Sequence, residues 1–403
     1  MSLTLIPRPL SALLVGAFVL RVVFVFVTPA WQSPDEFPHY WVASSIALGH
    51  GYPAGSQEFP GYEAYQAPLY YGLLAGVMIV SGLPPLEYSE EPEGPPLSLV
   101  ILRLLSVVLG ISAVGATWSV GRAMFPDVPT VPFFAAAFTT VLPTFVGLSA
   151  SLNNDVLVVS LSSLFLVVIL RPYSRWSGKS CLVAGFLAGA AIATKLTGVL
   201  LLLVLGYRLL EVRAGSRARV WRSVPMLLPG LVLGVGALVM RNLLVYGAPL
   251  VITPGAEMGL TMTVSQFLRA LRNIGWSFWL AFGRTYEIHL PPLAYVLLAG
   301  FLTGAALFGW WRCRKDPAVK SNAALMAAVL CLGVIASLGF TLSYPAGMQT
   351  SWGKNLYPLL PLFAVFAGFG WTAAFPRHPR VTPWLAVGLL VSGSMWGIYK
   401  LAS

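Results

Sequence analysis

The sequence predicts an all-α polytopic membrane protein, and three observations carry that prediction. Hydrophobic residues fill 57% of the 403 positions while charged residues fill only 10%, and the mean hydropathy of +0.78 lies far outside the range of a water-soluble domain. Apolar runs of about 17–25 residues, each long enough as a helix to cross a hydrocarbon core of about 30 Å, recur along the whole chain. Lys and Arg gather in the short segments between alternate runs, as they do at cytoplasmic flanks.

The runs fall near 9–29, 98–121, 130–150, 155–170, 180–194, 196–210, 224–244, 291–311, 323–343, 357–375 and 383–401, a bundle of about 11 transmembrane helices. A further run at 67–83 is ambiguous, and charge decides it. With the N-terminus cytoplasmic and 67–83 not crossing, the basic clusters Arg171–Lys179, Arg208–Arg222 and Arg312–Lys320 lie inside, and the acidic run Glu87–Glu93 lies outside with Asp35, Glu36, Glu63 and Asp155. Letting 67–83 cross would reverse those clusters. The run is therefore expected to lie in or dip into the outer leaflet as a juxtamembrane helix.

The net charge of +11 does not point to nucleic acid, because the basic residues form separate short loops and not one continuous stripe. Arg8 and a long apolar run resemble a signal peptide, but the run is long and contains Arg21, so a retained anchor is expected. Cys181, Cys313 and Cys331 have no metal-ligand spacing and offer no disulfide framework outside. Residues 1–403 read as one transmembrane domain, with outer segments at 30–97, 246–290 and 344–356. Function is expected on those loops.

The first outer segment opens with Ser33-Pro34-Asp35-Glu36-Phe37-Pro38-His39-Tyr40. Pro38 suits the first position of a helix over about 38–48 that stops at Gly49 or Gly51. Asp35 and Glu36 then sit at the positive end of its dipole. Ser33 and Glu36 also have capping-box spacing, which competes with a functional role for Glu36. His39 follows Asp35 by four residues and Glu36 by three, so Asp35, Glu36 and His39 could share a divalent cation or a phosphate, although such a string is a weak metal signature. An ordinary hydrogen-bonded histidine at the headgroup level competes with that reading.

Pro34-Asp35-Glu36 with His39, then Gly49-His50-Gly51, then Tyr65-Gln66-Ala67-Pro68-Leu69-Tyr70-Tyr71 and Arg103-Leu104, together resemble the opening of GT-C membrane glycosyltransferases, in particular the protein O-mannosyltransferase and aminoarabinose transferase group. Leu152-Asn153-Asn154-Asp155 occupies the place of that group's second outer acid, and Ala193-Thr194-Lys195-Leu196-Thr197 that of its later lysine. The resemblance covers about 9–210 and makes this the catalytic half, with 211–403 variable. It implies a GT-C-like bundle with outer juxtamembrane helices, a polyprenyl-phosphate sugar donor, and a lipid or glycan acceptor among membrane lipids. One departure is Gln66-Ala67 where the group often carries a lysine. That weakens a phosphate role for Tyr65 and Gln66.

Sugar transfer from such a donor needs a base for the acceptor hydroxyl and cations for the departing phosphate. Asp35 is the expected base, with Glu36 or Asp155 in support and Asn154 beside the substrate. Asp155 could equally be a helix N-terminal acid with Asn153 or Asn154 as cap. Lys195, Arg241 and Lys354 fall near the outer leaflet, where they suit a lipid phosphate or snorkel to headgroups. Arg21 and Arg103 need partners inside the bundle, for which Glu58, Glu63 and Asp155 are candidates. Segment 265–283 reads as an interfacial helix, either an anchor or a lid hinged at Gly255, Gly259 and Gly283. Trp31, Tyr286, Trp352 and Tyr357 stack on a sugar or form the usual interfacial belt.

The expected activity is inverting glycosyl transfer on the outer face of a bacterial-type cytoplasmic membrane. The competing readings are a transporter or flippase without catalysis, and an enzyme similar to O-antigen ligases that uses a pyrophosphate-linked glycan.

Overall fold

Helix α1 (Arg8–Val27) is followed by two short helices, α2 (Glu36–Ala47) and α3 (Pro68–Ser81), before the long α4 (Leu97–Met124). The computed structural model describes residues 7–56, 60–83, 94–212, 214–251, 263–342 and 352–403. Next come α5 (Thr130–Val141), α6 (Pro143–Leu148), α7 (Asn154–Ile169), α8 (Gly178–Thr194) and α9 (Leu200–Leu210). The second half holds α10 (Ala214–Ser223), α11 (Leu228–Tyr246), the amphipathic α12 (Val264–Trp279), α13 (Pro292–Arg312), α14 (Pro317–Leu342), α15 (Leu360–Ala374) and α16 (Val381–Ala402). Among the described residues the only β pairing is one bridge between Phe282 and Ile288. Each apolar run expected to cross coincides with a helix or a helix pair, and six helical segments are long and apolar enough to span by length and composition.

Arg103, in the second turn of α4, shows how the ends of the segment between α1 and α4 are joined. Its guanidinium donates to the carbonyls of Val25, Thr28 and Pro29 at the far end of α1, at 2.9, 2.8 and 3.0 Å. The end of α1 and the start of α4 are thus at one end of the bundle. Helix α3 stays beside α2, with Tyr71 on His39 and Met78 on Ser44. Glu87–Glu93, which carried part of the charge argument, lies outside the described residues.

A second buried arginine answers a break in the helical ladder. Pro143 has no N–H, so the carbonyl of Thr139 loses its intrahelical donor and the chain splits into α5 and α6. Arg21 fills the gap, donating to the carbonyls of Thr139 and Thr140 at 3.2 and 3.1 Å and to Ser149 Oγ at 2.7 Å. Of the three candidate acids, Glu63 and Asp155 bond elsewhere, and Glu58 lies outside the described residues. Freed carbonyls satisfy a guanidinium without requiring a second buried charge.

Helices α8 and α11 pack backbone to backbone. A Cβ on Gly189 would strike the carbonyl of Gly230, and one on Gly234 would strike that of Gly189. Small residues four apart on both helices permit this approach. The contact fixes the axis of α8, whose C-terminal end delivers Lys195. The chain unwinds there, with Lys195 extended at φ −158°, before a short 3-10 turn leads into α9.

Candidate active site

Four charged side chains from distant elements meet at the bundle end where α1 stops and α7 starts. Lys354 Nζ lies 3.0 Å from Asp35 Oδ2 and 3.7 Å from Asp155 Oδ2, while Lys195 Nζ lies 2.7 Å from Asp155 Oδ1. The set alternates in sign, Asp35–Lys354–Asp155–Lys195, so each cation faces a carboxylate. Access separates the two acids. The Asp35 side chain keeps 25% of its exposure and that of Asp155 only 1%.

The backbone around Asp35 is held in an uncommon form. Asp35 has φ +60°, and Trp31 and Tyr286 near the same site have φ +66° and +60°. A non-glycine residue in the left-handed region costs on the order of 1–3 kcal/mol and persists only where its surroundings impose it. Glu36 supplies that constraint. Its Oε2 is 2.6 Å from Arg103 Nη2 and accepts from the N–H of Trp31, while Oε1 accepts from Arg103 Nε and from the N–H of Leu152. Both oxygens of Glu36 are therefore occupied and buried in the scaffold beneath Asp35. Helix α2 begins at Glu36, two residues before the expected start, and Asp35 occupies its N-cap position without a side-chain cap. The Ser33–Glu36 capping box gives way to the stronger pairing with Arg103.

Asp155 is not a simple capping acid. Asn153 caps α7, its Oδ1 accepting from the Asp155 N–H at 2.9 Å, which leaves the Asp155 carboxylate for the lysines. The Nδ2 of buried Asn154 has no hydrogen-bond partner among the described residues, so a donor remains beside the acids. Lys195 at the C-terminal end of α8 also sits where the helix dipole favours a cation.

The loop at 61–66 closes over this cluster. Tyr62 donates to Asp35 Oδ1 at 3.2 Å, and the buried Glu63 accepts from Gln66 Nε2 at 2.8 Å. Arg241 donates to the carbonyls of Ala64, Tyr65 and Gln66 and stacks over Tyr52 and Tyr246. Its guanidinium therefore braces the loop, while Lys195 and Lys354 face the acids. The three cations do not share one site. Tyr65 and Gln66 contribute carbonyls to Arg241, and Gln66 holds Glu63.

Electrostatics follow from this packing. Burial opposes ionisation of Asp35, but Lys354, with His39 and Lys195, outweighs it and holds the pKa at about 2. Burial and then the Asp35 charge push Glu63 up to about 8, so it is largely protonated at neutral pH. Burial drives His39 down to about 3, and the neutral ring pairs through Nδ1 with Tyr71 OH at 2.9 Å. The set Asp35, Glu36 and His39 does not converge as metal ligands, because Glu36 faces Arg103 and His39 faces Tyr71. Among the described residues no group of three His, Cys, Asp or Glu side chains is placed to hold a metal ion.

Two features of this region went unread in the sequence. Glu63, read only as a possible partner for a buried arginine, and Tyr62 border Asp35, although neither belongs to a motif with chemical spacing. Tyr286, read only as a stacking residue, lies over Lys354 with its ring centroid 5.7 Å from Nζ and against Trp352 at 4.7 Å. Its left-handed backbone follows Gly283, the one described member of the three proposed hinges; Gly255 and Gly259 lie outside the described residues. Helix α12 presents the expected amphipathic face. Its Ser277 accepts from the N–H of Gly353 at 2.8 Å, next to Lys354. Beyond it an apolar cavity of about 300 Å³ opens, lined by Ile274, Phe278, Leu302, Leu356 and Phe363.

Comparisons with known proteins agree with this architecture. A family model described as dolichyl-phosphate-mannose-protein mannosyltransferase matches residues 98–246. Among solved structures, ArnT from Cupriavidus metallidurans bound to undecaprenyl phosphate superposes with a TM-score of 0.62 at 14% identity, covering 97% of this chain and 69% of that one. Its apo form gives 0.58 at 16% identity, covering 92% and 61%. The oligosaccharyltransferase of Archaeoglobus fulgidus gives 0.59 at 14% identity, covering 97% and 53%. The chain thus spans about three fifths of apo ArnT and about half of the oligosaccharyltransferase. No curated protein matches by sequence. The fold is that of the GT-C membrane glycosyltransferases.

Proposed function

We propose that the protein is an inverting glycosyltransferase that moves a sugar from a polyprenyl-phosphate carrier to an acceptor hydroxyl of a lipid or glycan. The observation that carries this reading is the solvent-reachable carboxylate of Asp35 sharing Lys354 with the buried Asp155, 3.0 and 3.7 Å away. The ArnT structure with undecaprenyl phosphate supports the class of carrier. The charge-derived orientation supports an active face on the outer side of the cytoplasmic membrane.

In this reading the acceptor hydroxyl gives its proton to Asp35 and its oxygen attacks the anomeric carbon. The bond from that carbon to the phosphate oxygen breaks, and the electron pair leaves with the polyprenyl phosphate. Lys354 and Lys195 stabilise that negative charge. The donor also tunes the base. A carboxylate held at a pKa of about 2 is a weak proton acceptor at neutral pH, but a phosphate that draws Lys354 away removes the main charge holding it there. Asp35 then becomes basic only when the donor is bound. The apolar cavity lined by Phe278 and Leu356, the latter two residues from Lys354 in the chain, has walls suited to isoprene units.

The test uses the full-length protein in proteoliposomes with a panel of undecaprenyl-phosphate sugars and a membrane-lipid acceptor extract, reading release of undecaprenyl phosphate. Asp35→Asn is expected to lower turnover by about 10²–10⁴ with the protein still folded. Normal release by that variant would overturn the assignment of the base. Sugar carriers that cross the bilayer intact, without release, would identify a flippase.

A further inference from the structure

The end of the bundle opposite the acidic site holds a cavity of about 670 Å³ that the chemistry above does not use. Two helices line it in the same manner. Helix α4 carries Trp118 and, one turn nearer its end, Arg122; Arg380 is the N-cap residue of α16, with Trp384 one turn further in. Each helix thus offers a guanidinium at its end and an indole one turn deeper. Trp384 lies edge-on against Phe133 and Phe134, both at 5.6 Å, so the deeper wall is aromatic.

The charge at the mouth is one-sided. Arg122 and Arg380 are exposed, and neither has an ion-pair partner among the described residues. Helices α1, α5 and α16 all begin at this cavity, and none carries a side-chain N-cap, so their positive ends add to the arginines. Asp127, the acid in the α4–α5 turn, does not line it. Unpaired guanidinium groups above an apolar wall at the level of helix ends complement a ligand with a phosphate on a hydrocarbon body.

We propose that this cavity binds the headgroup of an anionic glycerophospholipid from the leaflet opposite the active site. Arg122 and Arg380 hold the phosphate, and Trp118, Trp384 and Phe133 contact the glycerol and upper acyl region. The occupant also ties α1, α4, α5 and α16 together at the end where no described ion pair does so.

The test measures thermal unfolding of the purified full-length protein in neutral detergent titrated with phosphatidylglycerol, diphosphatidylglycerol or phosphatidylcholine. The anionic lipids should raise the midpoint saturably and phosphatidylcholine should not. Arg122→Gln with Arg380→Gln should shift half-saturation upward by about tenfold or more. Arg312→Gln with Arg314→Gln, which removes equal charge at the same end outside the cavity, should leave it in place. Equal weakening by both pairs, or equal stabilisation by phosphatidylcholine, would reduce the effect to diffuse surface charge and overturn the proposal. A diazirine-bearing phosphatidylglycerol on the unmodified protein gives a second readout: crosslinks should fall within 118–134 and 380–384, and their absence there would also overturn it.

Discussion

Asp35 and Lys354 stand 319 positions apart in the chain and 3.0 Å apart in the fold. The lysine enters on the 3-10 turn Gly353–Leu359 that leads into α15, the acid on the turn before α2. Because Lys354 also faces Asp155, it is the residue through which the two acids are coupled.

Replacing Lys354 with methionine should therefore alter both binding and pH dependence. Loss of a charged hydrogen bond of about 1.5–3 kcal/mol should weaken donor binding by roughly one to two decades. The Asp35 pKa should rise from about 2 as its main opposing charge disappears, moving the acid limb of kcat/KM to higher pH. Lys195→Met should weaken donor binding with a smaller movement of that limb. A pH–rate profile of Lys354→Met identical to that of the unmodified enzyme would remove Lys354 from the control of Asp35.

Glu36 and Arg103 should report on folding. Removing one partner of a buried, hydrogen-bonded ion pair costs about 3–5 kcal/mol, so Glu36→Ala should unfold at a markedly lower temperature in detergent. Asp35→Asn, whose carboxylate is more exposed, should lose less. Equal stability of the two variants would mean that Glu36 does not anchor the turn.

Glu63 predicts a specific pH effect. Its folded pKa lies above the ordinary value of 4.5, at about 8, so between these values the folded state binds more protons than the unfolded one. Its contribution to stability is full below about pH 4.5 and is lost as pH rises through about 8. Glu63→Gln keeps the neutral form throughout and should be less sensitive to pH across this window, with its largest relative gain at the alkaline end. Parallel curves of unfolding midpoint against pH for the two proteins would show that Glu63 is not held protonated.

Helix packing should reach the site through α8. A side chain at Gly234 would collide with the backbone at Gly189, so Gly234→Val should displace α8 and its terminal Lys195, lowering both stability and donor affinity. Gly236→Ala, where an added Cβ meets nothing within 4 Å, serves as the control. A Gly234→Val protein as stable and as tight-binding as the control would separate the α8–α11 contact from the site.

The sequence by itself determined the membrane class, the apolar runs, and Asp35, Asp155, Lys195 and Lys354 as candidates. Those features follow from hydropathy, charge asymmetry and local motifs, each of which acts over a single span or loop. Only the tertiary structure decided how the polar groups were shared. Glu36 went to Arg103 and Arg241 to the Ala64–Gln66 carbonyls, while Arg21 met the Thr139 and Thr140 carbonyls freed around Pro143. The cost of leaving a buried charge or carbonyl unpaired is met by whichever partner the packed helices bring within about 3 Å. That partner can be a backbone atom more than a hundred residues away, and no local pattern encodes it.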